Sequence, residues 1–186
     1  ADFDVHHGNG TQAIFETDPS VFFTSVHQHP LFPGTGMLEE TGQREGTGAT
    51  LNIPVPAGVG DNAMKAVFEQ ALLPGLRKFK PELIIVSAGF DAHWSDPLAE
   101  LGISLSGFGW MSRKLIDLAL ELCEGRIVFS LEGGYNLEAL SWSVYHGIRA
   151  LRGADSFQDP METPEQREPD ISDLLNEVKR IHRLDT

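Results

Sequence analysis

The chain has 186 residues, 41% of them hydrophobic, with 27 acidic against 14 basic side chains and a net charge of −13. That length suits one domain with a real core, and the charge argues against direct nucleic-acid binding; it suits either cationic partners such as lysine-rich peptides or polyamines, or solubility alone. A single cysteine, Cys123, excludes an intrachain disulfide framework and fits a reducing, cytoplasmic setting; no apolar run reaches the roughly eighteen residues of a membrane span, and no signal peptide is visible.

In chain order, the first segment is a strand. Phe3 and Val5 share one face, and Asp2, Asp4 and His6 share the other, because side chains alternate with period two. Two carboxylates and an imidazole in a row are costly to bury without a cation, and that donor set suits zinc or a similar borderline metal. The alternative is a solvated strand end followed by an Asn9-Gly10 turn. Residues 21–26 are β-rich, residues 27–48 form a long loop with the run Phe32-Pro33-Gly34-Thr35-Gly36, and residues 51–55 form a short strand. Met64, Val67, Phe68, Ala71, Leu72, Leu76 and Phe79 recur at helical spacing over 61–79, with Pro74 expected to kink or divide that helix.

Leu83 to Val86 reads as a buried strand, and Asp91 falls just past its end in Ser87-Ala88-Gly89-Phe90-Asp91-Ala92-His93. A helix starts at Ser106 with Phe108, Met111, Leu115, Leu118 and Leu122 as its stripe. Ile127 to Phe129 is another strand, followed by Leu131-Glu132-Gly133-Gly134-Tyr135-Asn136, and a third helix runs from about Asn136 to Leu151. Residues 153–169 are polar and proline-containing, a linker or wrapping loop, and 171–181 form a last amphipathic helix. Alternating strands and helices make an α/β layer fold with a parallel sheet. Three polar groups follow three strands, where sites form in open parallel sheets.

Three ordered motifs carry a resemblance. Asp4-Val5-His6-His7-Gly8-Asn9-Gly10-Thr11-Gln12, then Ala88-Gly89-Phe90-Asp91-Ala92-His93 with Asp96-Pro97-Leu98, then Leu131-Glu132-Gly133-Gly134-Tyr135-Asn136 resemble the zinc-dependent histone deacetylase family over most of residues 1–153. Asn9 and Glu132 match its class II or bacterial branch, where class I members carry Asp and Gly. The resemblance implies an arginase/deacetylase-like α/β fold, an open parallel sheet with helices on both faces, here lacking its N-terminal part. Residues 1–153 would be the C-terminal part of the catalytic domain, and 154–186 a linker and helix packed on it.

By the same resemblance, Asp4, His6 and Asp91 are zinc ligands and Tyr135 polarises the substrate carbonyl. Asp2 and Asn9 would support a pair of adjacent histidines that the family carries upstream and that hold the nucleophilic water. The only adjacent pair here is His6-His7, so the sequence reads as the C-terminal half of the domain without its general base. The missing half, supplied separately, or a second copy would be a partner. Carbonyls of Asp2, Asp4, His6 and Val26 with the Ser25 hydroxyl match an inner potassium site. Phe32, Leu98, Gly133 and Gly134 match the acyl-lysine tunnel, although Phe32 and Leu98 also read as loop anchors. His27, His29, His146 and His182 have no assigned role, and His93, in an extended segment, points away from Asp91.

A site with two carboxylates offsets much of the metal's charge, so its water needs an outside base. A tyrosine hydroxyl can donate to a developing oxyanion without ionising, and two glycines let the backbone approach the substrate. The expected reaction is zinc-dependent hydrolysis of an N-acetyl amide, on acetyl-lysine in peptides or on an acetylpolyamine. The alternatives are an arginase-like dimetal ureohydrolase, whose second-metal carboxylates are missing here, and a non-catalytic binding module.

Overall fold

Parallel pairing of short β-rich segments organises the chain in a computed structural model that describes residues 1–165 and 167–184. Strand β1 (Phe23–Gln28) pairs in parallel with β2 (Thr50–Val55), and β3 (Ile84–Ala88) pairs in parallel with β4 (Ile127–Leu131). The N-terminal segment joins the two ladders. Asp2 N–H donates to Thr24 O at 2.8 Å and Asp2 O accepts from Val26 N–H at 3.0 Å; on the other side Phe3 N–H donates to Ser87 O at 3.2 Å. The order is therefore β2, β1, residues 1–3, β3, β4, with the N-terminal segment in the middle.

Parallel sheets are normally covered on both faces, and here one ladder follows that rule while the other does not. Every residue of β1 is buried, as is β2 apart from half-buried Pro54. In β3 the pattern alternates: Ile84, Val86 and Ala88 are buried while Ile85 is 56% exposed. Leu83, Val128 and Leu131 are exposed as well. The strand read as buried at 83–86 thus starts at Ile84 and is buried on one face only. One face of β3–β4 is covered by helix, and the other is open among the described residues.

Helix α4 (Leu105–Cys123) supplies that cover. Its stripe Phe108, Met111, Leu115 and Leu118 is almost wholly buried. Ser104, not Ser106, starts it, with the Ser104 hydroxyl accepting from Gly107 N–H. Phe108 packs against Phe3 and Phe90, at ring-centroid distances of 6.1 and 5.1 Å, so the helix seats the site-bearing segments from below. The 61–79 helix divides as α2 (Asp61–Val67), a π-helical stretch (Phe68–Leu72) and α3 (Leu73–Phe79). Pro74 lies in the first turn of α3, where its missing N–H costs least.

Among the described residues the fold is completed by three further α-helices, α1 (Asn9–Phe15), α5 (Leu137–Leu151) and α6 (Ser172–His182), and a short 3-10 helix (Arg44–Gly46). α1 corrects the Asn9-Gly10 turn, since Asn9 opens a helix instead. His27 belongs to β1 and not to the following loop. α6 packs on β2 and the π-helical stretch. Within the 154–186 segment, residues 166, 185 and 186 lie outside the described residues. No helix of the described residues is long and apolar enough to cross a membrane.

Candidate metal centre

The parallel sheet brings the carboxyl ends of its strands to one edge, and the three motifs follow three of those ends. The N-terminal segment does not continue as a strand through His6. Asp2 Oδ1 accepts from Asp4 N–H at 3.0 Å, and Asp4 Oδ1 accepts from His6 N–H at 2.9 Å. Each is a carboxylate bonded to the backbone two residues on, which bends the chain. The segment is buried on both of its faces: Asp2 and Asp4 are as covered as Phe3 and Val5.

That bend lets Asp4, His6 and Asp91 converge. One donor atom from each lies within 4.8 Å of the others. His6 Nδ1 is 3.1 Å from Asp4 Oδ1 and 3.2 Å from Asp91 Oδ2. Donors about 2.0–2.2 Å from a tetrahedral zinc sit about 3.3 Å apart, so the spacing fits such an ion. The remaining carboxylate oxygens are held by the backbone: Asp91 Oδ1 accepts from Val5 N–H at 2.8 Å and Asp4 Oδ2 from Gly133 N–H at 3.0 Å. Asp91 is fully buried, and burial, with the Asp4 charge beside it, pushes its carboxyl up to about 7. Asp2 is raised well above the usual carboxylate range, again first by burial. Buried acids pressed together in this way favour a cation between them.

Glycines make the cradle. A β-carbon at Gly133 would collide with Oδ2 of both Asp91 and Asp4, and one at Gly89 would enter the Asp4 side chain. Gly134 has φ +134°, a conformation that other residues rarely adopt. The turn then presents Tyr135, whose side chain is 54% exposed. Slight desolvation and the charges of Asp91, Asp4 and Asp96 raise the Tyr135 pKa, so its hydroxyl stays a donor at neutral pH.

Other expected residues fall around this centre. Phe32 is 77% exposed with its ring 6.4 Å from that of His6, and Leu98 is half exposed. Asn9 is exposed at the start of α1. Of the potassium groups, the Asp2 carbonyl is used by Val26 N–H and the Ser25 hydroxyl lies 3.0 Å from His27 Nδ1. His93 is buried, with Nδ1 2.8 Å from Ser95 Oγ, and does not join the metal cluster. The dimetal alternative has no second cluster of three ligating side chains among the described residues.

Two features escaped sequence reasoning. His7 diverges from His6 and enters a polar network, with Nδ1 2.8 Å from Thr35 Oγ1 and Nε2 2.8 Å from Gln12 Oε1; Gln12 in turn donates to Glu40. Asp96 reaches from the Asp91 loop to the tyrosine turn, accepting from Tyr135 N–H at 2.8 Å. The Asp96-Pro97-Leu98 turn was readable as local chemistry, but its bond across 39 residues was not.

The histone deacetylase domain model matches residues 1–151. The chain is 46% identical over 187 residues to histone deacetylase 14, chloroplastic, of Arabidopsis thaliana, covering 98% of this chain and 44% of that protein. Among solved structures it is similar to the HDA15 HD domain, with 37% identity, a TM-score of 0.82, and coverage of 97% of this chain and 48% of that one. It is also similar to acetylpolyamine aminohydrolase from Burkholderia pseudomallei, with 32% identity, a TM-score of 0.75, and coverage of 82% and 44%. The chain spans about half the length of these relatives. It belongs to the histone deacetylase family, and its fold is the α/β deacetylase fold in part.

Proposed function

We propose that this member of the histone deacetylase family carries the metal ligands and the oxyanion donor of a zinc-dependent deacetylase, which hydrolyses an N-acetyl amide to a free amine and acetate. The convergence of Asp4, His6 and Asp91 donor atoms within 4.8 Å, beside the Tyr135 turn, is the observation that carries the reading. A zinc ion held by those three residues would supply Lewis-acid polarisation of the acyl oxygen and a more acidic water.

The chain's own residues do the rest. Tyr135 donates its hydroxyl proton in a hydrogen bond to the acyl oxygen as negative charge develops there. Gly133 N–H holds Asp4 in place, and Asp91 is held by Val5 N–H, so neither carboxylate needs to reorganise during the reaction. Phe32, its ring 6.4 Å from that of His6, and Leu98, in the loop after Asp91, are exposed apolar side chains, suited to flank the stem of an acyl-lysine or acetylpolyamine. Asp2, buried beside the cluster, would accept from a histidine that serves as general base and is not part of this sequence. The net charge of −13 favours a cationic substrate. One relative's name carries a chloroplast location, which gives the cytoplasmic expectation no support.

The test is Tyr135→Phe in the full-length protein. Turnover of an acetyl-lysine peptide should fall roughly 10²–10³-fold, the usual cost of one oxyanion donor, with zinc content and substrate affinity retained. A fall of less than threefold with the metal in place would make Tyr135 a structural residue.

A further inference from the structure

The Tyr135 ring is half exposed, so packing does not aim its hydroxyl. Its direction is set by the backbone turn that carries it. That turn is pinned at both ends by carboxylates: Gly133 N–H donates to Asp4 Oδ2 at 3.0 Å, and Tyr135 N–H donates to Asp96 Oδ2 at 2.8 Å. Gly134, with φ +134°, is the pivot between them. Asp96 is buried. Its second oxygen, Oδ1, accepts from Leu98 N–H at 3.0 Å, and Oδ2 also lies 3.4 Å from Asn136 N. A second tie runs parallel to it, with Asn136 Nδ2 donating to Ser95 Oγ at 2.8 Å.

We propose that Asp96 is a positioning residue that locks the loop after Asp91 to the Gly133-Gly134-Tyr135 turn and thereby sets the reach of the Tyr135 hydroxyl over the metal cluster. This rests on the oxyanion-donor reading of Tyr135. The argument is geometric. Asp96 is five residues from Asp91 and holds the backbone N–H of Tyr135 itself, so a single side chain couples metal ligand and donor. Without it the turn keeps the Gly133 anchor and the Asn136–Ser95 tie, but nothing holds the Tyr135 N–H itself, and the turn is free to pivot at Gly134. A displacement of about 1 Å at a reacting group can cost about 10²-fold in rate.

The experiment uses the zinc-loaded full-length protein with Asp96→Asn, which turns one acceptor oxygen into a donor facing an N–H, and Asp96→Ser as a second variant should the first fold poorly. Expected for either variant is a fall in kcat of about 10- to 100-fold, with KM within threefold and one zinc per chain. The Tyr135 amide should exchange with solvent at least ~10-fold faster. In a Tyr135→Phe background the same Asp96 substitution should cost less than about threefold, because the residue it aims is gone. An equal cost in both backgrounds, lost zinc, or unchanged Tyr135 amide exchange would overturn the proposal while leaving the oxyanion reading intact. A Tyr135→Phe variant that itself keeps its turnover would overturn both.

Discussion

Replacing Gly133 by alanine should weaken the metal centre without unfolding the sheet. Gly133, unlike Gly134, does not occupy the left-handed region, so alanine meets no backbone penalty there. The penalty is steric: the new β-carbon would strike Oδ2 of Asp91 and of Asp4. Asp91 is fully buried and Asp4 nearly so, and each has an oxygen tied to a backbone N–H. Neither carboxylate can step aside freely. Overpacking of this kind costs about 1–3 kcal/mol, which, expressed in the binding of an ion between those carboxylates, is about 5- to 150-fold in affinity. The assay is zinc affinity by chelator competition, beside thermal unfolding of the metal-free protein. Gly147→Ala in α5 is the control. A β-carbon there meets nothing within 4 Å, so it should leave zinc affinity unchanged and stabilise by about 0.5–1 kcal/mol. Zinc affinity within twofold of wild type in Gly133→Ala would refute the cradle.

Two further outcomes follow from groups away from the metal. His27 is buried between Ser25 Oγ and Gly36 O, and burial, with the neighbouring His7 charge, depresses it to about 3. A base with a lowered folded pKa binds more protons when unfolded, so its share of stability is present above about pH 6.5 and is lost as pH falls toward 3. Denaturant unfolding at pH 7 and pH 4 should show a loss that His27→Gln reduces by about 2–3 kcal/mol; an identical loss in the variant would show that His27 charges freely in the fold. Glu168 accepts N–H bonds from Gly60, Asn62 and Ala63 at the start of α2, at 3.2, 3.1 and 2.6 Å. Glu168→Ala should cost about 1–2 kcal/mol and Glu168→Gln less, with faster proteolysis across residues 154–170. Equal protease resistance in the alanine variant would mean the strap is held elsewhere.

The apolar stripe of period 3.6 made α4 readable, although its cap, Ser104, lies two residues before the expected start, and α5 begins where expected, at the Asn136 cap. The Pro74 interruption was readable as well, since its ring removes the backbone N–H that a helix interior needs. α1 was not. Asn9 and Gly10 disfavour helix, and the segment is held by Gln12, which bonds His7, Glu40 and Asn52, the last 40 residues away. Tertiary contacts outweighed propensity there. The site shows the same division. Asp4, His6, Asp91 and Tyr135 stood out as residue types after strand ends, and the sheet brings them together. That His6 and His7 would part, one into the metal cluster and one into the Thr35 network, depends on an Asp4-driven bend that strand alternation could not foresee. Residues 83–86 read as a buried strand, and Ile84 and Val86 are buried, but Ile85 faces the open side.

Zinc stoichiometry of purified full-length protein and of its Asp91→Ala variant tests the central claim most directly. The cluster of Asp4, His6 and Asp91 predicts one equivalent of zinc per chain in the parent and near-background zinc in the variant, which keeps only two protein donors. A full equivalent of zinc retained by Asp91→Ala would contradict the account.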